Sequence, residues 1–150
     1  EALGMDPLHL GGYFGGPFVK DNLPSLLVRA QGLQGHQLAV WLAAELRHFS
    51  VFDPYRALAI VFAALLAHAD EPLRVLQVAA NQMDVDDQGV ERRYADIDCY
   101  AGIAGALVGT IVGAAALPAD MLGQVLESNR SVYGIDLEEV AHRLAQVDRD

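Results

Sequence analysis

Ala101-Gly-Ile-Ala-Gly-Ala-Leu-Val-Gly-Thr-Ile-Val-Gly-Ala-Ala-Ala-Leu117, closed by Pro118, is a long uncharged run of the chain. It has two readings, and the fold turns on the choice. A membrane-spanning helix needs about 20 apolar residues; this run has 17. Gly105, Gly109 and Gly113 carry the small-residue spacing that lets membrane helices pair. The flanks argue the other way. Asp96 and Asp98 precede the run and Asp120 follows it, with no nearby Lys or Arg anchor on the C-terminal side. The better reading is a buried central helix of an all-α protein, its glycines admitting neighbouring helices at close range.

The rest of the chain fits that class. Leu23-Pro24 opens a helix, since proline is acceptable in a first turn. Gln31-Gly32-Leu33-Gln34-Gly35 stops it. Leu38, Trp41, Leu42, Leu46 and Phe49 recur at three and four residues and define one helical face. Asp53-Pro54 is an N-cap with proline at the first helical position, launching Tyr55 to His68. Asp70-Glu71-Pro72 stops and restarts the chain before a helix over Leu73 to Met83. Residues 84–95 read as an acidic loop. Two helices close the chain, Ala119 to Asn129 and Asp136 to Val147; Asp136 with Glu139 three residues on resembles a capping box. No run alternates with period two. The expectation is one all-helical domain over 1–150, with a glycine-rich loop over 1–22.

Composition narrows the function. The 150 residues are 53% hydrophobic, which excludes a disordered chain, and carry a formal charge of −10. That balance argues against nucleic acid and against an anionic membrane surface, both of which need clustered Lys and Arg. It leaves room for divalent cations. The single cysteine, Cys99, excludes an internal disulfide framework and permits a reducing, cytoplasmic setting. Residues 1–20 hold no basic segment followed by an apolar one, as a signal peptide would. A chain beginning at Glu1 reads as processed, truncated or one piece of something larger. In the loop 1–22, Gly12, Tyr13, Phe14 and Gly15 either pin the backbone to a core or line a ligand, since glycine allows close approach.

The chemistry concentrates at Asp96-Ile97-Asp98-Cys99. Carboxylates two residues apart do not share a helical face and converge only in a turning segment such as a helix entry. At about 5 Å and an effective dielectric near 20 they repel by about 3 kcal/mol. A proton, a helix cap or a bound cation each relieves that; capping and metal binding both stay open. A calcium loop starting at Asp84, Asp86, Gln88 and Gly89 fails, because its bidentate glutamate would fall on Ala95 and position nine on Arg92. His9, His36, His48, His68 and His142 form no zinc-like pair and read as surface or helix-end residues. Cys99 near a helix start invites a nucleophilic reading, which the flanking aspartates oppose.

Asp96 to Gly109 resembles the C-terminal signature of the ADP-ribosylglycohydrolase family, Gly-Asp-Thr-Asp-Thr/Ser followed by a small-residue helix with Ala-Gly-Ala-Leu-x-Gly. Asp21-Asn22-Leu23-Pro24, Val78-Ala79-Ala80-Asn81, Leu117-Pro118 and Gly134-Ile135-Asp136-Leu137 are similar to further family segments, so the resemblance spans roughly residues 11–147. It implies an all-α, compact multi-helix orthogonal bundle, the C-terminal part of that family's fold. It also implies one or two Mg2+ ions, with Mn2+ as a substitute, and hydrolysis of a glycosidic bond of ADP-ribose or a related ribosylated substrate. Asp96 and Asp98 would be metal ligands. Cys99 stands where the family has a Thr or Ser ligand, and sulfur suits magnesium poorly. Ala95 replaces the family glycine, and about a dozen residues intervene between Asn81 and the aspartates. The family's Thr-Asp-Asp motif is absent. An N-terminal partner polypeptide is therefore expected to supply the remaining ligands and the general base. The alternatives are a non-catalytic binding or structural protein keeping the fold, and a hydrolase of another nucleoside-type glycoside.

Overall fold

The computed structural model describes residues 19–86 and 88–147. Seven helices run through it: α1 (Val19–Ala30), α2 (Gly35–Glu45), α3 (Pro54–Ala67), α4 (Pro72–Ala80), α5 (Ile97–Val112), α6 (Ala119–Ser128) and α7 (Leu137–Val147). A short hairpin, β1 (Met83–Val85) and β2 (Glu91–Tyr94), separates α4 from α5. The class is all-α. The chain divides into two compact units, with the boundary between Ile111 and Val112.

The first unit is built around α3. Its sequence is apolar on nearly every side, and Tyr55, Arg56, Ala59, Ile60, Val61, Ala63 and Ala64 are all buried. Its start follows the sequence: Asp53 Oδ1 accepts the Tyr55 N–H at 2.8 Å and Pro54 occupies the first position. Helices α1 and α4 pack on α3, and α2 packs on α4 and β1. The expected face of α2 is present: Leu38, Leu42 and Leu46 are fully buried, while Trp41 and Phe49 are only partly covered. Gly32, at φ +84°, ends the turn after α1. Helix α1 begins at Val19 and carries Pro24 inside it, so the proline does not open the helix as expected.

The central buried helix is thus α3, and the run 101–117 plays a different part. Of α5 only Tyr100, Ala104 and Val108 are buried, a single stripe at four-residue spacing. The run also ends early. Gly113, at φ +74°, breaks the helix, and Ala114–Ala116 form a 3-10 turn. A Cβ at Gly105 would meet Leu76 at 3.7 Å, an ordinary contact; at Gly102 and Gly109 it would meet nothing within 4 Å. Close helix packing is therefore not what these glycines do within the described residues. The other faces of α5 stay partly or fully open, Ile111 among them. Among the described residues no helix is long and apolar enough to cross a membrane.

The second correction concerns residues 84–95. Asp84 and Val85 pair as strand with Glu91–Tyr94 where a loop was expected, and Met83 belongs to β1 and not to the helix before it. The strands pair antiparallel, Met83 with Tyr94, Asp84 with Arg93 and Val85 with Glu91, with an irregularity between Asp84 and Val85. β2 is exposed along its whole length, so no alternation of apolar and polar residues marks it. The turn is made by polar chemistry instead. Asp86 Oδ1 accepts the N–H groups of Val90 at 2.8 Å and Gln88 at 3.0 Å, and Gly89 takes φ +79°. These bonds, the Val90 N–H foremost, together with Arg92 hold the Asp86 carboxyl below its usual pKa.

In the second unit, α6 runs into a π-helical turn over Asn129–Tyr133, which Gly134 ends at φ +65°. Asp136 Oδ1 then accepts the N–H groups of Glu138 and Glu139 at 3.0 and 3.1 Å, capping α7 as expected. Glu139 pairs with Arg143 along α7.

Candidate metal centre

Three ties place the segment that enters α5. The Ala95 N–H donates to the Gln82 carbonyl at 3.0 Å, across the base of the hairpin. The Tyr100 N–H donates to the Asp96 carbonyl at 3.1 Å, which closes the first helical turn and makes Asp96 the N-cap residue by position. The Tyr100 side chain is fully buried, and its hydroxyl donates to the Val51 carbonyl. Burial pushes the Tyr100 phenol up to about 12.

A helix entry held this way lets the side chains of residues 96, 98 and 99 converge. One ligand atom each from Asp96, Asp98 and Cys99 lies within 4.8 Å of the others. Asp96 is partly buried, and Asp98 and Cys99 are exposed. The Cys99 thiol is hydrogen-bonded to Asp96, and that bond, then desolvation, then the charges of Asp96 and Asp98, raise its pKa. The thiol is therefore held neutral, and the N-terminus of α5 does not activate it as a nucleophile.

The donor chemistry can be weighed against a hard divalent cation. Two carboxylates at a helix entry suit magnesium, which takes oxygen ligands in octahedral geometry. A neutral thiol does not. Of the three clustered groups, the two carboxylates are the ones whose chemistry fits a hard cation.

The remaining expected sites separate from this cluster. Gly12, Tyr13, Phe14 and Gly15 lie outside the described residues. Asp84 and Asp86 are engaged by arginines: Asp84 by Arg56 at 3.3 Å and Arg93 at 3.4 Å, Asp86 by Arg92 at 3.0 Å. His68 caps the C-terminus of α3 as a helix-end residue but is buried, its Nε2 accepting the Gly35 N–H at 2.9 Å. His36 lines a cavity of about 300 Å³ between α2 and α4, with Arg74, Gln77 and Asn81. Sequence reasoning passed over Tyr100 and Gln82. A large aromatic interrupting a run of small residues was the available sign for Tyr100; Gln82 carried none.

An all-α protein with an Asp-x-Asp cluster at the mouth of a small-residue helix is the class that fold and site define. The family model for ADP-ribosylglycohydrolase matches residues 22–150, and the chain belongs to that family. No curated protein and no solved structure matches it.

Proposed function

We propose that this chain is the C-terminal part of a divalent-metal-dependent glycohydrolase acting on ADP-ribose or a related ribosylated substrate. The convergence of Asp96 and Asp98 at the entry to α5 carries this reading. Their carboxylates would hold Mg2+, with Mn2+ as a substitute, and a bound ion supplies Lewis-acid polarisation and orients substrate hydroxyls. Asp96 and Asp98 fix negative charge at the mouth of the site. The buried Tyr100, bonded to the Val51 carbonyl, anchors the first turn of α5. Two carboxylates leave most of an octahedral shell to other donors, so an N-terminal polypeptide contributes further ligands and the base that activates water.

The test is a crystal of the chain with that polypeptide, soaked in MnCl2. Anomalous density beside Asp96 and Asp98 is expected; density elsewhere only, or none, refutes the reading. Asp98→Ala is expected to abolish hydrolysis by the complex while leaving its circular dichroism unchanged, because Asp98 is exposed and its loss opens no cavity. The neutral Cys99 thiol favours one second reading, a binding protein that keeps the fold without the metal. Calorimetric titration with Mn2+ separates the two, since that protein gives no heat.

A further inference from the structure

Arg56, in the first turns of α3, is fully buried. Its Nη1 donates to the Phe49 carbonyl at 3.0 Å and to Asp84 Oδ1 at 3.3 Å, and its Nη2 to the Met83 carbonyl at 3.2 Å. Burying a guanidinium is costly unless it is well partnered, and here Nε has no partner. The gain is positional. A rigid planar fork reaches three acceptors on two separate segments at once, which a lysine cannot do. Those segments are the turn before α3 and the base of the hairpin.

Both lead to the candidate metal centre. Gln82, next to Met83, is also fully buried; its Nε2 donates to the Val78 carbonyl at 3.0 Å and its own carbonyl receives the Ala95 N–H. Ala95 immediately precedes Asp96. From the other side, the turn that Arg56 holds at Phe49 offers the Val51 carbonyl to Tyr100. Arg56 therefore joins the segments 49–51 and 82–84, and the Ala95–Gln82 and Tyr100–Val51 hydrogen bonds tie the segment 95–100 to that pair.

We infer that Arg56 is a positioning residue: it sets where the chain enters Asp96 and Asp98. Its consequence for metal binding rests on the function proposed above. The guanidinium touches neither carboxylate of the pair and acts through the hairpin base and the 46–53 turn.

The experiment compares the full chain with Arg56→Lys and Asp84→Asn, and uses Arg93→Ala as a control that breaks only the exposed ion pair to Asp84. Amide exchange is read residue by residue by NMR at Ala95 and Tyr100, with Leu42 and Ile60 as reporters of the core. Mn2+ uptake by the complex with the N-terminal polypeptide is followed by loss of the free-ion paramagnetic resonance signal. In Arg56→Lys, exchange at Ala95 is expected to quicken at least tenfold and Mn2+ affinity to fall at least tenfold, with Leu42 and Ile60 moving less than threefold. Arg93→Ala is expected to move neither readout more than twofold. Exchange at Ala95 that stays as in the wild type, or that quickens only in step with Leu42 and Ile60, overturns the inference. Should Arg56→Lys not fold, Asp84→Asn decides by the same criterion. Absence of Mn2+ uptake by the wild-type complex refutes the metal reading, while exchange at Ala95 still decides the role of Arg56.

Discussion

Tyr100→Phe isolates one hydrogen bond and one titration in a single substitution. The ring is fully buried and stays so in the variant, so packing is preserved. The hydroxyl is lost, and the Val51 carbonyl it served loses its donor; Val51 is itself buried. Leaving a buried acceptor unpaired costs about 1–3 kcal/mol, and about 1.5 kcal/mol is expected at pH 8. The alkaline range behaves differently. The phenol has an ordinary value of 10.0, raised to about 12 in the folded chain by burial. Because the folded value lies above the unfolded one, the folded state prefers the neutral phenol. Its contribution is complete below pH 10 and is lost as pH climbs toward 12. Across the full window the loss has a ceiling of about 2.7 kcal/mol, and at pH 11 of about 1.4 kcal/mol. Relaxation and water penetration around the buried phenolate bring the expected value at pH 11 to about 1 kcal/mol. The variant lacks this loss. Tyr55, also raised by burial, titrates in both proteins and cancels. Urea unfolding followed by circular dichroism from pH 8 to pH 11 should therefore show a gap of about 1.5 kcal/mol closing to about 0.5 kcal/mol. A gap that stays constant refutes the assignment of the high pKa to Tyr100. No gap at pH 8 refutes its hydrogen bond to Val51.

Two further substitutions test other parts of the argument. Asp53→Ala removes the cap of α3, the most buried helix, and is expected to cost about 1–2 kcal/mol in urea unfolding; a change below about 0.3 kcal/mol would show that Pro54 alone starts the helix. Cys99→Thr puts an oxygen donor beside Asp96 and Asp98, so calorimetry is expected to find Mg2+ bound about tenfold more tightly, since a hard cation prefers oxygen; unchanged affinity would place position 99 outside the coordination sphere.

Much of this architecture was legible in local chemistry. Asp53-Pro54, Gly32 and Asp136 each do in the structure what their residue types dictate, because caps and breaks depend on a few neighbouring backbone groups; Gly113, read as a packing glycine within the run, instead breaks it. The face Leu38-Leu42-Leu46 was readable for the same reason: helical period alone puts those residues on one side. The Asp96-Asp98-Cys99 motif stood out by spacing, and a helix entry is the backbone shape that lets such a pair converge. The hairpin was not readable. Its strands have no buried face to impose alternation, and its turn is made by Asp86 with residues two and four positions away.

What residue order settled on its own is the all-α class, the caps of α3 and α7 and the acidic helix entry, all products of interactions within a few residues. Tertiary structure decided which helix lies at the centre. Apolar length pointed to 101–117, yet α3 holds that place, because burial depends on which elements come to cover a face. Only the folded chain could bring Arg56 to Asp84 and Tyr100 to Val51. Those contacts join residues 28 and 49 positions apart, and no periodicity or local motif reaches across such a span.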